Sequence, residues 1–174
     1  PGNAATGHYG SSLAFGGNTA GDDNNFALRI HGAIKITTAG VYTFGVRSDD
    51  GFSLNLSGAT FTTLTNCTNS TGSSTMEYAN TRSSSDSFGQ TTLAVGTYDF
   101  ELYYFASTGA SGLEFFASSG AKTAFDSGFQ LVGDTANGGL PLAKVADYLG
   151  TNTGFQTASL NTNASAFVRI PFNV

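Results

Sequence analysis

The sequence predicts an all-β protein built as an antiparallel β-sandwich, and three observations predict it. Apolar and polar residues alternate with a period of two through one run after another. Turn residues such as Gly40, Gly51, Gly58 and Gly96 separate those runs. The composition suits pleated sheets, because 15 Phe and 7 Tyr fill their faces while 23 Gly serve the turns between them. At 174 residues the chain can hold one sizeable core, or one domain with an appendage.

In "NFALRI" the apolar set is Phe26, Leu28 and Ile30, and in "AIKIT" it is Ile34 and Ile36; His31 and Gly32 read as the exit between two strands. Tyr42, Phe44 and Val46 share a face before an Asp-Asp-Gly step, and Phe52, Leu54 and Leu56 share one after it. The segment from Ser57 to Gln90 is rich in Ser and Thr and weakly patterned, so it reads as a long excursion from the sandwich. "TYDFELYYF" turns Tyr98, Phe100, Leu102 and Tyr104 inward and leaves Asp99, Glu101, Tyr103 and Phe105 on the other face. "GLEFFAS" adds Leu113 and Phe115, and "GFQLVG" a short strand at Phe129 and Leu131.

After Gly133 the texture changes, so the sandwich is assigned to 1–133 and a C-terminal extension to 134–174. The extension carries a weak helical pattern at Leu142, Val145, Ala146 and Leu149, between Pro141 and Gly150. It ends in a strand with Val168, Ile170, Phe172 and Val174 on one face, where Pro171 favours an edge or a bulge. The opening "PGNAATG" lacks Met and the last residues stop within a pattern, so the chain reads as a piece of a longer one.

Charge narrows the partners. The net charge is -5 and no two of the seven Lys and Arg are adjacent, which argues against nucleic acid. No apolar run is long enough for a membrane helix, so membrane insertion is not expected. A surface of uncharged Ser, Thr and Asn points to an extracellular or cell-surface location. Cys67 is single and forms no disulfide within the chain; Asn66, Asn69 and Asn163 open glycosylation patterns. Asp99, Glu101 and Glu114 offer carboxylates for glycoside hydrolysis, but Asp99 and Glu101 lie on a solvent face, and solvation accounts for them. No nucleophile motif or histidine cluster appears, His8 and His31 being far apart in sequence, so no enzyme is expected.

One step resists a bland reading. Asp50-Gly51 alone is a strong hairpin signal, which leaves Asp49 unexplained. Two carboxylates about 5 Å apart repel by roughly 1 to 3 kcal/mol, and a hard divalent cation, which takes six to eight oxygens, turns that repulsion into attraction. The pair is a candidate metal site. "GDDNN" at 21–25 holds a second adjacent pair, Asp22 and Asp23, and reads as a polar loop entering the strand at Phe26.

"NFALRIHGAIKITTAGVYTFGVRSDDGFSLNLSG" and "LAVGTYDFELYYFASTGASGLEFF" together resemble the PA14 (protective-antigen-like) domain, with the strand, "taGvYtF", "SDDG", "GtY" and "GLE" signatures in order. The resemblance covers about residues 20–133. It implies a β-sandwich module of secreted and surface proteins. In sugar-binding members, the adhesins and flocculins, it implies an Asp-Asp pair joined by a cis peptide that binds Ca²⁺, with sugar hydroxyls completing the coordination. Carried onto this sequence, Asp49 and Asp50 are the metal ligands. A second loop adds the carbonyls of Thr108 and Ala110, and Ser107, Gly109 and Ser111 border the ligand. The sequence departs from that pattern at Ala106, which stands where those members carry an Asn- or Gln-type side chain.

The expected function is therefore a calcium-dependent carbohydrate-binding, lectin-type module with glycans or glycoproteins as partners and Tyr103 or Phe105 as candidate stacking rings. The alternative is a structural subunit of an extracellular filament or multidomain surface protein, joined to copies of itself or to neighbouring domains through Val168, Ile170, Phe172 and Val174 by strand complementation.

Overall fold

The computed structural model describes residues 7–9 and 24–143. In chain order its strands are β1 (Phe26–Ile36), β2 (Gly40–Asp49), β3 (Phe52–Leu56), β4 (Thr63–Thr65), β5 (Thr75–Tyr78), β6 (Ser85–Leu93), β7 (Gly96–Ala106), β8 (Gly112–Ser119) and β9 (Gln130–Leu131). They form a four-stranded sheet, β1-β7-β3-β5, and a five-stranded sheet, β4-β6-β2-β8-β9. Every pairing between these strands is antiparallel. The inward faces meet in one core, with Ile34, Leu54 and Leu102 from the first sheet against Phe44, Val46 and Ala117 from the second. The predicted β-sandwich is the observed architecture, and the alternating inward residues are the ones that fill it.

Within the strands, β1 and the Ser/Thr-rich segment differ from the sequence reading. The runs "NFALRI" and "AIKIT" are one continuous strand, β1, paired with β7 over its whole length. Gly32 lies inside it rather than at a break, because a Cβ there would stand 2.9 Å from Cε1 of the Phe100 ring. The Ser/Thr-rich segment does not leave the sandwich either. It supplies β4, β5 and most of β6, and β6 lies beside β2 from Ser48 opposite Ser85 to Gly40 opposite Leu93. Its pattern is weak because buried Ser87 and Thr91 stand where apolar residues would advertise a core strand.

β2 is covered on both faces. Behind it Phe88, Phe116 and Phe129 form a second apolar cluster, closed by Tyr9, Phe125 and Leu131. Gly45 lets the Phe116 ring lie flat across β2, since a Cβ at that position would be 2.1 Å from Cε2 of the ring. His8 stacks on Phe125 at 3.6 Å between ring centres, and its Nε2 lies 2.9 Å from an Asp86 carboxylate oxygen. This strip of chain thus seals the outer cluster.

Beyond β9 a 3-10 turn at Thr135–Asn137 leads to Leu140 and Leu142, which pack against the main core. The Lys35 N–H donates to the Pro141 carbonyl at 2.8 Å, and the Ala143 N–H to the Ala33 carbonyl at 2.7 Å. Leu142, expected to begin a helix, is extended and bridges Ile34 along the outer edge of β1. Backbone bonds to an open strand edge satisfy this segment as a helix would. The remaining helix positions Val145, Ala146 and Leu149, the terminal anchors Val168, Ile170, Phe172 and Val174, and Asp22, Asp23 and Asn163 lie outside the described residues.

The close approach of Phe116 to Gly45 gives a direct test. Gly45→Val should cost about 1–3 kcal/mol through overpacking, lowering the thermal midpoint by several degrees. An unchanged midpoint would mean that the ring swings aside freely.

Candidate functional site

Asp49 closes β2 and Phe52 opens β3, so Asp50 and Gly51 are the whole connection. It is not a hairpin. β2 pairs with β6 and β8, whereas β3 pairs with β5 and β7 in the opposite sheet. The step therefore carries the chain across the end of the sandwich, and the Asp49–Asp50 peptide within it is cis, the conformation implied by the resemblance. Gly51 has no room for a side chain: a Cβ would be 2.4 Å from Cε1 of Phe105 and 2.6 Å from the Tyr78 carbonyl oxygen.

Both aspartates are buried, at 9% and 5% exposure, and backbone N–H groups from two loops hold their carboxylates. The Ser84 N–H donates to Asp49 Oδ2 at 3.1 Å. The Arg82 N–H donates to Asp50 Oδ1 at 3.1 Å and the Ser107 N–H to Asp50 Oδ2 at 2.6 Å. Their carbonyls are also taken. Ser48 Oγ donates to Asp50 O at 2.6 Å, and the Tyr104 hydroxyl donates to Asp49 O. The same hydroxyl accepts the Gly112 N–H at 3.1 Å, so one phenol ties the crossing to the start of β8. Burial pushes the Tyr104 hydroxyl up to about 12, which keeps it a donor at any physiological pH.

Asp49 Oδ1 accepts no hydrogen bond from the described residues and is not sealed from solvent. Burial, and then the neighbouring charge of Asp50, raise the Asp49 carboxyl above the usual carboxylate range, against the opposing pull of the Ser84 N–H and Arg82. An anionic oxygen left without a donor beside a second carboxylate is a position that favours a cation.

The predicted second loop, 107–111, joins β7 to β8 and lies against the pair through the Ser107 N–H. The Ser107 carbonyl is occupied by the Asn25 N–H at 2.7 Å. Among the described residues no hydrogen bond reaches the carbonyls of Thr108 and Ala110. Gly109 between them has φ +94, a turn that suits glycine. Ala106 is buried at the end of β7 and offers no side-chain oxygen. Among the described residues no group of three or more His, Cys, Asp and Glu is arranged to hold a metal ion by itself. The donor set nonetheless suits a hard cation that takes its remaining oxygens from carbonyls and water, as Ca²⁺ does. The structure thus brings Asp49, Asp50 and the 107–111 loop together. The half-buried Phe105 ring packs over Gly51 beside the pair. Tyr103 is 46% exposed and lies further along β7, beneath the Arg29 guanidinium at 5.9 Å.

The PA14 domain family matches residues 9–131, well over half of the chain. The chain belongs to the PA14 domain family. A solved structure described as a PA14 sugar-binding domain from RTX adhesin is similar to it, at 21% identity and a TM-score of 0.44, over 62% of this chain and 51% of that one. The chain thus spans about half the length of that structure. No curated protein matches the chain. As a PA14 domain it places the Asp pair at the crossing between its two sheets.

Sequence reasoning missed three contributors: Arg82 and Ser84, whose backbone amides grip the carboxylates, and Tyr104, which appeared only as an inward ring. "ANTRSSS" carries no motif, and a backbone N–H has no sequence signature, so neither could be found that way.

Two outcomes follow for the metal-free protein. A carboxyl whose folded pKa is raised favours folding only while protonated, and stability falls as pH rises from the unfolded carboxylate range through the folded pKa. Asp49→Asn should therefore raise the thermal midpoint in chelator at pH 7, with the gain disappearing near pH 3.5; no pH dependence in the gain would remove the charge from the account. Tyr104→Phe should cost about 1–3 kcal/mol in denaturant unfolding, because it orphans the Asp49 carbonyl and the Gly112 N–H.

Proposed function

We propose that this PA14 domain is a calcium-dependent carbohydrate-binding module acting outside the cell, without catalysis, and that glycans or glycoproteins are its partners. The observation that carries the reading is the Asp49 oxygen left without a donor among the described residues, next to Asp50, while the pair's other carboxylate oxygens and both its carbonyls have partners. The PA14 resemblance supports the same choice of residues.

In this reading Asp49 and Asp50 would hold the cation with their carboxylates, and the carbonyls of Thr108 and Ala110 in the adjoining loop would supply further oxygens. When bound, Ca²⁺ offers coordination positions to vicinal hydroxyls, which lets a charged site recognise a neutral sugar. The protein's own task is pre-organisation: three backbone N–H groups fix the carboxylates before any ligand arrives, which reduces the ordering cost of binding. Ser107, Gly109 and Ser111 form the rim with small side chains that leave the approach open. Phe105 supplies an apolar ring face at the same rim, suited to the C–H face of a sugar.

Calorimetric titration of Ca²⁺ into chelator-stripped protein should show one site, lost in Asp50→Ala. A glycan panel should then give binding with Ca²⁺ and none with chelator. Absence of Ca²⁺ binding in the wild-type protein would sink the reading. Phe105→Leu keeps a contact over Gly51 but removes the flat ring. It should weaken the sugar by about 0.5–1.5 kcal/mol, about two- to tenfold, at unchanged Ca²⁺ affinity.

A further inference from the structure

Arg82 is a half-buried cation whose side chain forms an ion pair with no carboxylate among the described residues. Its guanidinium lies 4.3 Å from the centre of the Tyr78 ring and 5.4 Å from that of Phe52. Nη2 donates to Ser48 Oγ at 2.8 Å and Nη1 to Ser87 Oγ at 2.9 Å. Nε is buried with no hydrogen-bond partner among the described residues. Desolvating a guanidinium against two hydroxyls and two rings is costly, and this position needs a reason.

The reason lies one bond away. Ser48, which accepts from Nη2, donates through its own hydroxyl to the Asp50 carbonyl at 2.6 Å, and the Arg82 N–H donates to Asp50 Oδ1. The guanidinium stands behind the Asp pair, reaching it through Ser48 rather than by direct contact, so the carboxylates keep their outward oxygens for a ligand. A direct Arg–carboxylate fork would have closed the site.

We propose that Arg82 is the resident counter-charge of the Asp49–Asp50 site, a positioning residue that lets two adjacent carboxylates stay buried without metal and that lowers the site's affinity for divalent cations. The second half rests on the calcium reading above; the first does not. Opposite charge nearby offsets the repulsion within the pair, and the same charge opposes an incoming cation. Tyr78 and Phe52 hold the guanidinium by cation–π contact, which fixes its distance from the pair independently of ligand.

The test is a double-mutant cycle between Arg82→Met and Asp49→Asn, read as thermal midpoints in chelator, together with Ca²⁺ titration of wild type, Arg82→Met and Arg82→Lys. Asp49→Asn suits the cycle because its amide oxygen can still accept the Ser84 N–H. The expected result is a loss of stability in Arg82→Met that is smaller when Asp49 is already neutral, with Ca²⁺ binding severalfold tighter in Arg82→Met and near wild type in Arg82→Lys. Equal losses in both backgrounds, the signature of packing alone, overturn the proposal. Should Arg82→Met not fold alone, folding in the Asp49→Asn background upholds the counter-charge, and failure there too overturns it. If wild type binds no Ca²⁺ the calcium reading and the affinity claim fall, while the cycle still decides the counter-charge. Weaker Ca²⁺ binding in Arg82→Met than in wild type overturns the affinity claim alone.

Discussion

The organising constraint is the burial of two neighbouring carboxylates where the chain passes from one sheet to the other. Each must find donors in a place where water is scarce, and those donors come from segments distant in sequence: Ser84 and Arg82 before β6, Ser107 after β7. Satisfying the pair thus clasps three loops at one end of the sandwich. The Tyr104 hydroxyl and Ser48 Oγ extend the clasp to the backbone carbonyls of the pair.

Around that clasp, packing is governed by rings lying where glycine leaves space. Phe105 over Gly51 sets the floor of the site. Phe116 over Gly45 does the same for the outer cluster, and Phe61 over Gly89 for β6. These contacts put Phe and Gly to use together: a flat ring across a bare strand position joins sheet to cover without a gap. A rigid end of the sandwich follows, and a rigid end is what holds the loop carbonyls and carboxylates in one arrangement.

How much was legible varied from residue to residue, for stated reasons. Period-two alternation located the inward faces of β1, β2, β3 and β7, because one side of each meets the main core. It failed in β6, where Ser87 and Thr91 are buried and Phe88 faces the outer cluster. Gly32 read as a break because sequence shows the missing side chain but not the Phe100 ring that requires it. Asp50-Gly51 read as a hairpin because a turn dipeptide does not reveal which sheet the next strand joins. Leu142 matched a helical spacing, and the open edge of β1 drew it into an extended bridge instead.

By itself the sequence determined the sandwich class, the inward residues of its long strands and, through the PA14 resemblance, the Asp pair with the 107–111 loop as the place to look. Those features are local in origin, set by alternation, turn chemistry and a short run of motifs. Only the tertiary structure decided that the pair crosses between sheets and that Asp49 keeps one oxygen open. It alone placed the Arg82 guanidinium behind the site, between two rings and two hydroxyls. These properties depend on where backbone amides, rings and a half-buried charge from separate segments arrive in space, and pairwise distances across a folded core have no signature along the chain.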